Sequence, residues 1–401
     1  MPEAGKKAVQ IQGESKMAMH MYKALPAVSP IGTEHEYSIN DRNFRPLAIS
    51  DQIIERISGG VQHQVPFGGI LVSKELQKHA LELIPARPGS ISLLEENLYR
   101  GLCELYRATN YEYRFMGLGM HPLLTLDQTT YWDHDEQDYY QAYDRLFNIN
   151  QHGWLNIQAL QINIPYENRE ELISMFNKIR SLMPYLVAVS ASSPLVEGKI
   201  TPYMDSRLVY YRQNQAQIPN ICHGILPEKL DSVEDYEQIN QCIYAELKRC
   251  RAEILCSEWV NSRGVIVRFS RNCLEVKAID EQECLHSDMA ISAFLLALLR
   301  SDLELEEEEG HLLAMLEDAM QHGVADLRPE LEKLFRIAQK SATKEEMRYM
   351  PLVAKRIDQG SLAEVMVQRL KEGGEIEPML AEIAWCLKEN RPYSAEPGRC
   401  G

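Results

Sequence analysis

The chain has 401 residues and carries 42 Lys+Arg against 58 Asp+Glu, a formal net charge of −16. That acidity argues against nonspecific nucleic-acid binding, which needs excess cations on phosphate, while leaving room for a local basic pocket. Hydrophobic residues at 45% and charged residues at 25% make a globular composition, and no apolar run reaches the ~18 residues of a membrane span.

The opening stretch lacks the apolar core of a signal peptide, so the cytoplasm is the expected location. The nine cysteines are odd in number and no two stand at C-x-x-C spacing. This predicts free thiols rather than a zinc site or a disulfide framework.

In chain order, residues 1–29 mix Lys, Gly, Ser and Pro with weak periodicity. They read as a flexible N-terminal arm, with order beginning at Ile31. Short alternating runs then predict strands at 31–39, 78–84, 112–118, 158–164, 264–270 and 273–279. Ser92-Leu93-Leu94-Glu95 has the form of a capping box, and Leu98, Leu102 and Leu105 follow at helical spacing. Asn168 and Glu171 open another helix with Leu172, Phe176, Ile179 and Met183 on one face, and Pro184 is its expected end.

Beyond about residue 286 the texture is helical. Leu312, Leu316 and Met320 repeat at helical spacing, as do Leu331, Leu334 and Ala338. Thr343 to Glu346 and Ser361 to Glu364 are further capping boxes. The acidic run 306–309 predicts a solvated face or loop, and 391–401 a frayed tail. Residues 30–390 read as a single domain, sheet-rich from 30 to 285 and helical from 286 to 390.

The most informative pattern is where acids fall on the predicted strands. A period of two puts Glu34 and Glu36 on one face of the first strand, and Ile31, Thr33, His35 and Tyr37 on the other. Glu82 likewise opposes Leu81 and Leu83. Gln161 and Asn163 oppose Leu160, Ile162 and Ile164, and Glu275 and Lys277 oppose Leu274, Val276 and Ala278. A sheet with an apolar back and a carboxylate-rich front suits hard divalent cations, which take oxygen ligands. An antiparallel sheet with its polar side in plain water has the same pattern.

Three arginines, Arg263, Arg268 and Arg271, stand within nine residues on and beside the 264–270 strand. Guanidinium groups bind carboxylate or phosphate through two parallel hydrogen bonds. Surface arginines offsetting nearby acids are the plainer reading. His121, in Gly119-Met120-His121-Pro122, reads as a turn histidine or a ligand, and His35 as structural. Neither a P-loop nor a dinucleotide fingerprint is present, and no nucleophile motif.

These segments together resemble glutamate–cysteine ligase family 2, the carboxylate-amine ligases. Gly32-Thr33-Glu34-His35-Glu36 resembles the family's G-x-E-x-E strand, and Glu75-Leu76-Gln77 with Glu82 its E-L-Q…E stretch. Gly119-Met120-His121-Pro122 resembles G-x-H-P. Ser190 to Pro194, with Gly198 and Arg207, resembles S-A-x-S-P…G…R. Leu274-Glu275-Val276-Lys277 with Asp280 resembles L-E-x-R…D.

The resemblance implies an α+β, glutamine-synthetase-like fold, a curved antiparallel β-sheet funnel with helices packed outside. It also implies ATP with Mg2+ or Mn2+, the metal held by Glu34, Glu36, Glu82 and Glu275. Arg263, Arg268, Arg271 and Lys277 would face the nucleotide's phosphates, with Arg268 and Glu36 catalytic. Gln161, Asn163, Arg207 and His121 would contact substrate. The chain departs from many bacterial members where Gln161-Ile162-Asn163-Ile164 replaces H-V-H-V, and where Lys277 replaces arginine.

The implied activity is ATP-dependent joining of a small-molecule amino acid and an amine through an acyl phosphate. Its best-known form is glutamate–cysteine ligase of glutathione biosynthesis. Another acid/amine pair, a guanidino-kinase-like phosphotransferase and a non-catalytic binding homologue are the alternatives. Neither a nucleic-acid nor a membrane partner is expected, and a homo-oligomer is compatible with the sequence.

Overall fold

The computed structural model describes residues 18–25 and 29–394. Its strands are β1 Met19–Tyr22, β2 Gly32–Asn40, β3 Gln64–Phe67, β4 Ile70–Lys74, β5 Ala80–Pro85 and β6 Arg114–Met116. They continue with β7 Ala159–Pro165, β8 Leu195–Val196, β9 Lys199–Ile200, β10 Val265–Arg268, β11 Cys273–Asp280 and β12 Leu303–Glu306. Eight form one antiparallel sheet in the order β10-β11-β7-β2-β5-β4-β3, with β6 extending the pairing of β2. This is the expected curved antiparallel sheet with helices outside it.

The six predicted strands correspond to β2, β5, β6, β7, β10 and β11, with shifted ends. The β3–β4 hairpin was not anticipated. Its register pairs Phe67 with Ile70, so Gly68 and Gly69 alone make the turn, at φ of 58° and 89°. Two successive positive φ values are what a two-residue hairpin turn needs, and glycine adopts them without steric penalty.

The apolar faces of β2, β5, β7 and β11 look backward onto helices. The helix Leu285–Leu299 is buried on nearly every side, as its uniform apolarity demands. The helix Arg169–Ser190 is capped by Asn168, whose side chain accepts from the Glu171 amide. It runs past Pro184 instead of ending there. Proline removes one helical hydrogen bond and crowds the preceding turn, a penalty of ~3 kcal/mol. Here residues on both sides of Pro184 are buried in the core, and that packing keeps the helix continuous.

Other expectations are corrected. Order precedes Ile31: β1 pairs with β12, and Tyr22 and Leu25 are buried. The remainder of the expected arm, 1–17 and 26–28, lies outside the described residues. The helix Ile91–Ala108 begins two residues earlier than the capping box implied, with Ser90 at its N-cap. Ser92 donates from its amide to Glu345 at 2.6 Å, and Glu95 accepts from Tyr349 Oη at 2.6 Å. Thr343 and Glu346 exchange reciprocal backbone-to-side-chain hydrogen bonds at the start of a short 3-10 turn whose N-cap is Glu345, whereas Ser361 and Glu364 form the expected box on Leu362–Lys371.

The acidic run is no plain solvated face. Glu306 ends β12 at 4% exposure and accepts backbone N–H groups from Ala18, Glu307 and Glu308. In the expected tail, Tyr393 is buried and its amide donates to Glu283 at 3.0 Å. Residues 395–401 lie outside the described residues. The largest hydrophobic core runs unbroken from Tyr22 to Leu387, so sheet-rich and helical parts share it.

Behind β2 lies a fully buried polar cluster. His35 Nε2 meets Thr33 Oγ1 at 2.9 Å, and His35 Nδ1 sits 3.3 Å from Asp288 Oδ2 and 3.6 Å from Glu281 Oε1. Burial alone would lower the imidazole's pKa, but Asp288 and Glu281 outweigh it and raise it to about 9. Glu281 Oε2 in turn accepts the amide of Glu36 at 2.9 Å. We expect His35→Leu to leave two buried carboxyls without their cation and to destabilise the fold by about 3–5 kcal/mol. Urea unfolding of the variant, with an unchanged midpoint as the contrary result, checks this.

Candidate active site

The front face of the sheet is assembled by register. Glu36 on β2 stands directly opposite Glu82 on β5, and Glu34 opposite Gln161 on β7. Glu275 on β11 stands opposite Asn163. Because side chains alternate faces, all six point to the same side.

The amides of β7 serve the acids of β2. Gln161 Nε2 donates to Glu36 Oε1 at 2.9 Å, and Asn163 Nδ2 to Glu34 Oε1 at 3.1 Å. The Ala159 amide donates to Glu36 Oε2 at 2.9 Å, so both oxygens of this buried carboxyl are engaged. Arg271, half exposed, reaches Glu34 Oε1 at 2.7 Å. Burial pushes Glu34 up, but Arg271 and these hydrogen bonds prevail and hold it below the usual carboxylate range.

A third acid joins them from the segment that follows β4. Glu36, Glu75 and Glu82 each place a carboxylate oxygen within 4.8 Å of the others. Burial and mutual repulsion push Glu36 and Glu82 well above the ordinary carboxylate range. Burial raises Glu75 to about 7, with Lys74 working against it and Glu34 with it. Like charges this close share protons or a cation.

The expected quartet is therefore regrouped. Neither Glu34 nor Glu275 is in the three-carboxyl cluster: Glu34 pairs with Arg271, and Glu275 pairs with Arg268 Nη1 and lies 3.5 Å from Lys277 Nζ. Arg268 also donates through Nε to Glu258 at 3.1 Å. Glu75 joins Glu36 and Glu82 instead. Its signal was present in Glu75-Leu76-Gln77, but a residue just past a strand end has no face that alternation can assign.

Three other expected residues are buried, each engaged by protein partners. Arg263 is buried against Glu228, with Nε and Nη2 at 2.6 and 2.7 Å from its carboxylate, and cannot turn to a phosphate while that pair holds. His121 has no exposed surface; Nε2 meets Asn40 at 2.6 Å and Nδ1 accepts the Leu123 amide at 3.2 Å. Burial drives its imidazole down to about 3, so it is a neutral turn residue. Arg207, 2% exposed, donates to Asp280 Oδ1 at 2.5 Å and to the Lys277 carbonyl at 3.3 Å. It braces β11, and its charge acts on the nearby Glu36 carboxyl and lowers its proton affinity.

Beside the carboxyl cluster opens a cavity of about 470 Å³. Glu36, Glu75 and Lys277 are among the residues that line it. Burial works against the Lys277 charge, but Tyr211 and Glu275 outweigh it and keep the ammonium protonated. Tyr139, Tyr143, Trp154, Tyr211 and Trp259 line the rest with other residues. None of these aromatics was singled out from sequence. Tyr139 and Tyr143, four apart on the helix Gln137–Phe147, were the available signal.

The model of glutamate–cysteine ligase family 2 matches residues 30–382. An uncharacterised protein of Archaeoglobus fulgidus is 48% identical over 90% of this chain and 100% of its own length. A glutamate–cysteine ligase of Natronomonas pharaonis is 23% identical over 54% of this chain, which spans only 56% of that protein. Among solved structures, a glutamate–cysteine ligase from Francisella tularensis in complex with AMP superposes with a TM-score of 0.67. It shares 12% identity, and the match covers 95% of this chain and 91% of that one. A bifunctional glutathione synthetase from Pasteurella multocida gives 0.61 at 15% identity, over 90% of this chain and 52% of that one. At such identities the structural likeness speaks for the fold, whereas the sequence match decides membership: the chain belongs to glutamate–cysteine ligase family 2.

Proposed function

We propose that this protein is an ATP-dependent carboxylate–amine ligase that activates an amino-acid carboxylate, glutamate first among candidates, as an acyl phosphate. The observation that carries the reading is the three-carboxyl cluster, two of whose members, Glu36 and Glu75, line a cavity, with Lys277, Arg268 and Arg271 on the adjoining face. The family's named relatives include glutamate–cysteine ligases, which supports the same reaction class.

Glu36, Glu75 and Glu82 fit a hard divalent cation, Mg2+ or Mn2+. All three donors are oxygens, and their raised proton affinity shows a site short of positive charge. Such an ion supplies neutralisation of phosphate oxygens during phosphoryl transfer. Gln161 and Asn163 hold the Glu36 and Glu34 carboxylates in place. Lys277 stays charged beside the cluster and balances the charge of the substrate's carboxylate or the transferred phosphoryl group. Arg268, anchored by Glu258 and Glu275, presents its guanidinium along the same face.

In the reaction, the substrate carboxylate oxygen attacks the γ-phosphorus and the bond to ADP breaks. The amine nitrogen then attacks the acyl carbon, phosphate leaves, and the amine gives up a proton. No side-chain nucleophile is required.

Hydroxylamine should replace the true amine and yield a hydroxamate from glutamate or another acid, dependent on ATP and Mg2+ or Mn2+. The ferric–hydroxamate colour reads it, and Glu36→Gln should lower the rate by at least about a hundredfold. ATP turnover without hydroxamate from any acid tried would point instead to a kinase. Arg268→Lys should reduce kcat/KM about tenfold or more, since it loses the fork, and Lys277→Arg should reduce it less. Equal losses would remove the special role of Arg268.

The metal site also predicts a pH dependence. Folding raises Glu75 from 4.5 to about 7. Its stabilising contribution is therefore complete below about 4.5 and is lost as pH rises through about 7. In metal-free protein the melting temperature should fall between about pH 4.5 and 7. Glu75→Gln should flatten that slope, and millimolar Mg2+ should restore stability at pH 8. An identical slope in the variant would place the titrating group elsewhere.

A further inference from the structure

The cavity beside the carboxyl cluster is built for something other than a second amino acid. At about 470 Å³ it is far larger than cysteine needs. Its wall is a continuous aromatic surface: Tyr143 and Trp154 ring centroids lie 5.0 Å apart, and Trp259 lies 6.1 Å from both Tyr139 and Tyr143. Four chain segments contribute to it, the helices Gln137–Phe147, His152–Leu155 and Ser206–Tyr211 and the turn Glu258–Val260.

Charge sharpens the reading. The acids on the lining are Glu36, Glu75 and Glu136, and the cations are Lys74 and Lys277. Lys74 is already matched, donating to Glu136 Oε2 at 2.8 Å and to Tyr140 Oη. Lys277 sits by Glu275, where the acyl donor's own carboxylate or the transferred phosphoryl group is expected. Among the described residues, no arginine or histidine lines the cavity. A carboxylate carried deep into it would meet aromatic faces and acids with no unmatched cation. An amine bearing an apolar or aromatic body would meet the reverse, since π faces and carboxylates both favour an ammonium group. Arg268 and Arg271 are absent from its lining, so the nucleotide's phosphates belong at the carboxyl cluster and not against the aromatic wall.

We propose, resting on the ligase reading above, that the acceptor is a primary amine with a bulky aromatic or apolar body and no carboxylate, held by Tyr143, Trp154, Tyr211 and Trp259. The amine nitrogen then faces the end of the cavity where Glu36 and Glu75 stand, which is where the activated carbonyl forms.

Isothermal titration of the full-length protein with Mg2+ tests this, using 2-phenylethylamine, ethylamine, cysteine and a non-hydrolysable ATP analogue as separate ligands. 2-Phenylethylamine should bind at least about tenfold tighter than ethylamine or cysteine, the size of effect that one or two aromatic contacts produce. Trp154→Leu and Trp259→Leu should each weaken it by about tenfold and leave the ATP analogue's affinity unchanged, while Trp154→Phe retains most of the binding. Circular dichroism melts establish that the variants fold. Tighter binding of cysteine, no binding of 2-phenylethylamine, or loss of the ATP analogue's affinity in the leucine variants would overturn the proposal. Failure of the ligase reading is seen separately, because the hydroxamate assay needs no acceptor amine.

Discussion

Three carboxyl groups are forced together in the middle of a sheet, and the rest of the molecule is arranged around that repulsion. Glu36 and Glu82 meet because β2 and β5 run antiparallel in a register that sets them face to face. Glu75 arrives beside them from the turn out of β4. In water such a group would spread apart. Here strand pairing on both sides of β2 prevents it, so the acids hold protons or a divalent ion.

The support for this arrangement comes from both faces of the sheet. In front, Gln161 and Asn163 donate to Glu36 and Glu34 where an imidazole pair would compete as metal ligands. Behind, the His35 cluster fastens β2 to the loop at the end of β11 and to the helix Leu285–Leu299 through Glu281 and Asp288. Arg207 and Asp280 fix the irregular stretch of β11, where the register shifts between Val276 and Ile279. The helical part is tied in by the buried pair of Arg356 and Glu283, at 2.7 Å. Each device lowers the freedom of the strands that carry the acids. A site whose charges are held in place before substrate binds needs little reorganisation during reaction.

The two parts of the front face differ in chemistry. Around Glu34 and Glu275 the neighbours are Arg268, Arg271 and Lys277. Around Glu75 they are aromatic rings, other acids and the lysines Lys74 and Lys277, the contrast on which the proposed seats for phosphate and amine rest. Glu36 lies between these two surroundings, adjacent along the strand to Glu34 and in the cluster with Glu75.

Much of this was legible in the sequence because alternation is local. A strand's period of two places Glu34 and Glu36 on one face and His35 on the other, whatever the strand pairs with. The caps at Asn168 and Ser361 were legible for the same reason, as each bond spans three residues. Partnership is not local. Arg263 and Arg268 look alike in sequence, yet one is buried against Glu228 thirty-five residues away and the other pairs with Glu258 and Glu275 along the front face. Glu275 has the right face but is neutralised by its neighbours, while Glu75 sits past a strand end where no period applies. The aromatic wall is drawn from four distant segments that only folding brings together. The sequence by itself determined which side of each strand is polar, since that depends on backbone geometry alone. The tertiary structure decided which charges remain free to act, because charge neutralisation depends on which side chains meet across the fold.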